Sequence, residues 1–399
     1  MVHSGIAVTG MGIISAIGST NEESFQALLN GKHGISRVQN FDTKHKDHIL
    51  VGEIKYSNRQ LAALLGITEP HNFTRTALLG ALAAKAAIAD AGISDVNAQR
   101  TGLISSTSVG GMDYTERYFY EYLTNPSLHP YISTHDAGDS SHKIAECLGL
   151  EGIVTTISTA CSSAANAIMM GARLIKSGRL DRVIVGGTDA LSKFTINGFK
   201  TLMILTDDYC RPFDNERCGL NLGEAAAYLV LESAMSLKKD GKKPLAFLRG
   251  YGNANDAFHQ TASSENGEGA FLAMKKAFQA ADLDPAAIDY VNAHGTATPN
   301  NDLSEGRALT RIFGDHVPVF SSTKPFTGHT LAAAAAIEAV FSILALQQGV
   351  VFPNLHFQHK MAELDLIPQT ETLHRPLSNV LSNSFGFGGN CSTLIFSKA

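Results

Sequence analysis

Cysteine is scarce in this chain and poorly spaced for cross-linking. Five cysteines stand among 399 residues, at positions 147, 161, 210, 218 and 391, and no two form a C-x-x-C pair. An odd count without framework spacing argues against a disulfide scaffold and suits a reducing compartment. Charge is sparse as well. Only 17% of residues are charged, the net charge is -5, and no run of Lys or Arg stands out. Nothing therefore supports nucleic acid as a partner. Long apolar runs are missing. The longest, Leu331 to Leu346, is Ala-rich and interrupted by Glu338. It is short for a membrane span and reads as a buried helix. The stretch from Met1 to Gly10 has no basic segment followed by a long apolar run. No signal peptide is expected, and the expected location is the cytoplasm. A glycine is missing too. Gly10-x-Gly12 starts a dinucleotide-binding pattern, but position 15 is Ser, and the fingerprint fails. His33, His45 and His48 lie in a polar stretch beside Lys44 and Lys46. That cationic, solvated setting does not favour a metal site, and no metal is expected.

What is present is apolar: 44% of the chain is hydrophobic. At this length that suits two domains, or one fold made of two halves. Short β-branched segments alternate with helical ones. Strands are predicted over 6–9, 101–107, 153–157, 182–187 and 226–232. The first leads into a glycine-rich turn through Gly10, Gly12 and Gly18, and 153–157 reads as a buried strand. Helices are predicted over 21–29 (capped by Asn21), 73–91, 113–123, 140–148, 166–176, 192–205 and 233–239, while 32–60 reads as irregular. Asp240-Gly241-Lys242-Lys243-Pro244 is the best internal boundary. Beyond it the pattern restarts, with strands over 245–252, 288–293, 317–321, 380–383 and 392–396 and helices over 267–281, 303–313 and 331–347. The alternation argues an α/β protein with mostly parallel sheets, in halves 1–243 and 244–399.

Three strand-to-helix corners carry the chemistry. Ser158-Thr159-Ala160-Cys161-Ser162-Ser163 places Cys161 at the start of a helix. Unpaired N–H groups and the positive dipole end there favour a thiolate, and small neighbours let a substrate approach. The alternative is a buried, inert cysteine. Asn292-Ala293-His294-Gly295-Thr296 and Thr327-Gly328-His329 form two similar corners in the second half. Ligands of open α/β folds sit beyond the carboxyl ends of strands, so the three side chains are expected to converge on one pocket. A thiolate attacks thioesters, and two imidazoles can hold an enolate by hydrogen bonds. Lys324 is placed to hold charge and orient the site. Glu338, on an apolar helix, needs a partner if buried and reads as half of a structural salt bridge. Asn383 to Gly389 is a glycine-rich turn carrying Phe385 and Phe387. It is either core packing or a mobile loop whose Phe gates a pocket and whose N–H helps bind an oxyanion.

Taken together, the motifs resemble the elongating β-ketoacyl-acyl-carrier-protein synthases, over nearly the whole chain. They are Thr159-Ala160-Cys161-Ser162-Ser163, Arg211-Pro212-Phe213-Asp214, His294-Gly295-Thr296-x-Thr298-Pro299, Lys324-x-x-x-Gly328-His329 and Gly386-Phe387-Gly388-Gly389. The resemblance implies the thiolase fold: two duplicated α/β halves in five αβαβα layers, usually dimeric. It makes Cys161 the acyl-accepting nucleophile. His294 and His329 serve decarboxylation of a malonyl donor, and Lys324 orders the site. Thr296 and Thr298 bond the phosphopantetheine arm of an acyl carrier protein. Phe387 is the gate, with Phe385 beside it. The Phe387 and Cys161 N–H groups form the oxyanion hole, Phe199 lines the acyl pocket, and Val109 reaches into a partner subunit's pocket. No cofactor is implied beyond the carrier-bound substrates. The partner subunit is a second copy or a related chain.

The chain also departs from the family. Ala332, Ala335, Ala225 and Ala227 stand where Gly is usual, and their methyls are expected to crowd the backbone and reshape the cavity. Asn390-Cys391 replaces the common Thr-Asn, so the loop's usual hydrogen bonds are expected to change. A polyketide or polyene pathway is thus open beside fatty-acid elongation. Two rivals remain: a thiolase-type acyltransferase using Cys391 as its second base, and a non-catalytic partner subunit of the chain-length-factor kind, which would lack Cys161.

Overall fold

The computed structural model describes residues 5–399; residues 1–4, part of the segment read for a leader, lie outside the described residues. Ten strands build one continuous sheet: β1 (Ile6–Ser15), β2 (Thr101–Ser106), β3 (Val154–Ile157), β4 (Arg182–Asp189), β5 (Ala225–Glu232), β6 (Ala246–Asn255), β7 (Tyr290–Asn292), β8 (Val319–Ser321), β9 (Asn379–Gly386) and β10 (Asn390–Lys398). Their spatial order is β8-β7-β9-β10-β6-β1-β5-β4-β2-β3. The first five lie third-second-fourth-fifth-first, and so do the last five. Pairing direction repeats as well: β2 is parallel to β3 and β4 as β7 is to β8 and β9, and the remaining pairs are antiparallel. The sheet is therefore mixed rather than mostly parallel. The repeats join where Ile6–Val8 pairs with Ala246–Leu248.

Helices α1 (Arg75–Asp90) and α2 (Ala137–Leu148) cover the outer face of the first repeat, and α4 (Glu268–Ala281) and α5 (Pro299–Phe313) that of the second. Helices α3 (Ser163–Lys176) and α6 (Ala334–Gln348) lie between the repeats; α6 packs on both β5 and β9. These are the five layers of a thiolase fold. Ala334 to Leu346 is buried at every position, so the one helix among the described residues that is long and apolar enough to cross a membrane, Leu331–Gln348, belongs to the core.

Several expectations need correction. Gly10 and Gly12 lie inside β1, with no turn between them. Helix α1 presses its backbone against this strand. A Cβ at Gly10 would come within 2.4 Å of the Ala87 carbonyl oxygen, and one at Gly12 within 2.3 Å of that of Ala83. Glycine here serves close approach of helix to strand. Strand β3 is half-buried, because it lies at the sheet's edge and Ile153 beside it is 51% exposed. The stretch 32–60 holds the strands Ile35–Arg37 and Leu50–Gly52, paired with Leu222–Gly223, and the start of a helix, Asn58–Leu65. Thr20, not Asn21, caps the helix Asn21–Leu29. The helix expected over 192–205 spans Lys193–Thr201, and the chain then turns at Met203, whose φ is +56°.

Candidate active site

Cys161 follows β3 at a tight elbow. Ala160 holds a left-handed φ of +53°, which a residue with a Cβ adopts only under constraint. The Ser163 hydroxyl supplies that constraint: it donates to the Ala160 carbonyl at 2.5 Å and accepts the Thr159 N–H at 2.8 Å. Cys161 is buried, 5% exposed. Burial pushes its pKa up to about 12, against the pull of the Lys324 charge and of the Phe387 and Cys161 N–H groups. The expected thiolate is thus not the resting state, because desolvation outweighs the helix end.

His294 follows β7. Its own N–H and that of Gly295 both donate to the buried Glu305 carboxylate, at 2.9 and 2.8 Å. Lys324 Nζ lies 3.1 Å from His294 Nδ1, 2.5 Å from the His294 carbonyl and 2.5 Å from Glu338 Oε1. An ammonium only donates, so Nδ1 must accept, and the network assigns the ring proton to Nε2. Lys324 thereby satisfies all three of its protons, and Glu338 is the salt-bridge partner its sequence context predicts. His329 arrives at the same tautomer by another route. Its Nδ1 accepts the Leu331 N–H at 3.1 Å, and Leu331 holds φ +55° at that turn. Burial, then the nearby Lys324 charge, holds both imidazoles well below the usual histidine range, so both are neutral. Their rings stand 5.5 Å apart at 88°.

Cys161, both histidines, Thr296, Thr298, Phe199, Phe385 and Phe387 all line one cavity of about 320 Å³. The two threonine hydroxyls are 2.9 Å apart. Phe385 packs edge-on against His294, and Phe387 stacks on Phe199 at 5.9 Å and 22°. Gly386 must be glycine, because a Cβ there would lie 2.6 Å from the Thr159 carbonyl oxygen. Lys324 stands behind His294, outside the lining. Val109 does not line this chain's cavity, and neither do Ala225, Ala227, Ala332 and Ala335. All four alanines are buried in the interior.

Sequence reasoning missed the acids that hold this site. Asp189, at the end of β4, accepts from Thr107 Oγ1 and from the N–H groups of Ser108 and Ala332. It ties the turn after His329 to the loop after β2. Glu305 lies eleven residues past His294, on the following helix, and its pKa is raised to about 7 by burial. An acid at a strand's carboxyl end, and one in the helix after a candidate histidine, were the signals available.

Residues 3–236 match the beta-ketoacyl synthase N-terminal domain, and residues 245–358 match the beta-ketoacyl synthase C-terminal domain. The chain is 33% identical to 3-oxoacyl-[acyl-carrier-protein] synthase 2 of Staphylococcus aureus strain N315, over 98% of each chain. It is equally identical, with the same coverage, to the enzyme of that name from Coxiella burnetii. Among solved structures it resembles the ishigamide ketosynthase/chain length factor, with TM-score 0.92 and 29% identity over 99% of each chain. It also resembles a ketosynthase in complex with its chain length factor from Xenorhabdus doucetiae, with TM-score 0.86 and 31% identity, covering 99% of this chain and 98% of that one.

Proposed function

The chain belongs to the beta-ketoacyl synthase family, and we propose that Cys161, His294 and His329 carry out its decarboxylative condensation. It is an acyltransferase that extends an acyl chain held on acyl carrier protein. In the loading half, the Cys161 sulfur attacks the acyl thioester carbonyl. The oxygen becomes negative where the Cys161 and Phe387 N–H groups donate. The carrier's sulfur leaves and takes up the proton that Cys161 gives up. In the second half, malonyl carrier protein loses carbon dioxide. The enolate oxygen so formed takes hydrogen bonds from Nε2–H of His294 and His329. Its carbon then attacks the acyl carbonyl, a carbon–carbon bond forms, and the bond to Cys161 breaks. Lys324 beside Nδ1 of His294 strengthens the donor on the far side of that ring.

One observation carries this reading: two neutral imidazoles, each with its proton fixed on Nε2, share a cavity with the thiol. Neutral donors suit a carbanion, because they hold its charge without quenching it by full proton transfer. The thiolase alternative is poorer. Cys391 lines the cavity, but burial pushes its thiol up, and the neighbouring acids Asp256 and Glu305 push it further. The non-catalytic alternative conflicts with the presence of Cys161. Thr296 and Thr298 are read as contacts of the phosphopantetheine arm, and no resident cofactor or metal is required.

The assembly is read as a dimer, located in the cytoplasm. The edge strand β3 leaves one side unpaired, and Ile153, Phe119, Tyr120 and Leu123 are exposed. Val109 is then the residue a partner's pocket receives. The partner is a second copy or a chain-length-factor-like chain. The ketosynthase/chain-length-factor pairs among the solved relatives support the second, and with it polyketide-type elongation beside the fatty-acid elongation that the curated relatives' name supports. Residues 1–243 and 244–399 are taken as the duplicated halves. Incubation with acyl- and malonyl-loaded carrier protein tests the chemistry. Mass spectrometry should show acyl-Cys161 and the ketoacyl product in the wild type and neither in Cys161→Ala. Acyl-enzyme in that variant would remove Cys161 from the mechanism.

A further inference from the structure

Asn390 is the first residue of β10 and pairs across the glycine turn with Gly386. Its side-chain oxygen accepts from Ser162 Oγ at 2.7 Å, Asn166 Nδ2 at 2.9 Å and Asn253 Nδ2 at 2.8 Å. Two amide N–H donors and a hydroxyl converge on that oxygen. Ser162 directly follows Cys161, and Asn166 lies in the first turn of the same helix. Phe387, which lines the same cavity as Cys161, stands three residues before Asn390. Only Gly388 and Gly389 intervene, both at φ +80°. The segment joining gate to post is therefore the most pliable that a chain can offer.

We propose that Asn390 is a positioning residue, a fixed post that latches the glycine loop to the helix of Cys161 and keeps the Phe387 N–H in register with the Cys161 sulfur. The proposal rests on the ketosynthase reading for what that N–H does during turnover. It turns a departure from the family pattern into a device: a side chain with an amide oxygen spans the gap from β10 to α3. The latch is also removable without orphaning its donors. Ser162 Oγ also reaches the Thr159 carbonyl at 2.8 Å, Asn166 Nδ2 reaches Thr159 Oγ1 at 2.9 Å, and Asn253 Nδ2 reaches Ser392 Oγ at 3.0 Å. Asn390→Ala is therefore expected to fold.

The test compares wild type, Asn390→Ala, Asn166→Ala and the double variant. The pH profile of Cys161 alkylation by iodoacetamide is measured, with melting temperatures and single-turnover acyl loading at a short and a long chain length. Asn390→Ala should melt within a few degrees of wild type. Its alkylation profile should move to higher pH, because the sulfur loses an N–H donor. Loading should fall about tenfold at both chain lengths, with little change in KM. Asn166→Ala should shift the profile the same way, and the double variant should be no worse than Asn390→Ala. An unmoved alkylation profile in Asn390→Ala, or a double variant whose effects simply multiply, would overturn the latch. Should Asn390→Ala fail to fold, Asn390→Ser is read by the same criteria. Alkylation needs no acyl substrate, so it judges the latch by itself. A wild type that accepts no acyl group would sink the ketosynthase reading alone.

Discussion

The Lys324 ammonium is held 2.5 Å from the Glu338 carboxylate, with both side chains almost fully buried. A buried pair of this kind offsets much of its own desolvation, but either half alone is costly. Lys324→Met should therefore lower stability by about 3–5 kcal/mol. The double variant Lys324→Met/Glu338→Gln should regain most of that loss. Neither should regain decarboxylation, because the charge at His294 Nδ1 is gone from both. Urea unfolding and carbon dioxide release from malonyl carrier protein measure the two effects. A double variant as unstable as the single would mean that Glu338 has another essential partner.

His294 and His329 should stay neutral below the ordinary histidine range. The unfolded chain takes up protons at these rings first, so their contribution to stability is present above pH ~6.5 and is lost as pH falls below it. Decarboxylation should show no histidine limb between pH 6 and 8. Ring ¹⁵N shifts should report Nε2–H on both. His329→Gln, which still offers an N–H, should keep about tenfold more decarboxylation than His329→Ala. Equal loss in both variants would count against a donor role.

Glu305 should act with the opposite sign. Its pKa in the fold is raised to about 7, so its contribution is fully present below the usual carboxylate range and is lost as pH rises through about 7. Glu305→Gln should flatten that fall. It should also loosen the His294 loop, because an amide presents one acceptor oxygen where two N–H groups now find two. Stability curves at pH 5 and pH 8 give the comparison, and identical curves for both proteins would remove Glu305 from the titration.

The corners that carry Cys161, His294 and His329 were legible because strand, small residues and helix follow one another locally. Lys324 and Glu338 were legible as a cation and an acid in apolar surroundings. Gly10 and Gly12 misled, because their reason lies in helix α1, some 70 residues away in sequence. The exposure of β3 was equally hidden, since edge position is a property of the whole sheet. Asp189 was hidden, and the partners of Asn390 were not legible, for the same reason: the N–H groups, hydroxyls and amides around them are brought together only by the fold. The resting thiol was misjudged because helix-end electrostatics can be read locally and burial cannot.

Phe387 offers the last prediction. Its ring stacks on Phe199 within the cavity that Cys161 lines, 5.9 Å between centroids, and under the proposed function it stands in the way of an acyl chain on Cys161. Glycines at 386, 388 and 389 let the loop move with little backbone cost. A long acyl chain must displace the ring, and a two-carbon group need not. Phe387→Ala should therefore change loading rates for long chains more than for short ones. It should also let malonyl carrier protein reach an unloaded Cys161, seen as carbon dioxide release before any acyl transfer. Phe199→Ala should act in the same direction, more weakly, since it removes the stacking partner and leaves the gate. The Phe387 N–H survives both substitutions, so short-chain turnover should persist. Pre-steady-state loading against a series of acyl lengths decides the matter. Equal rate changes at every length would leave the ring as packing, and a collapse at every length would point to a damaged anion pocket.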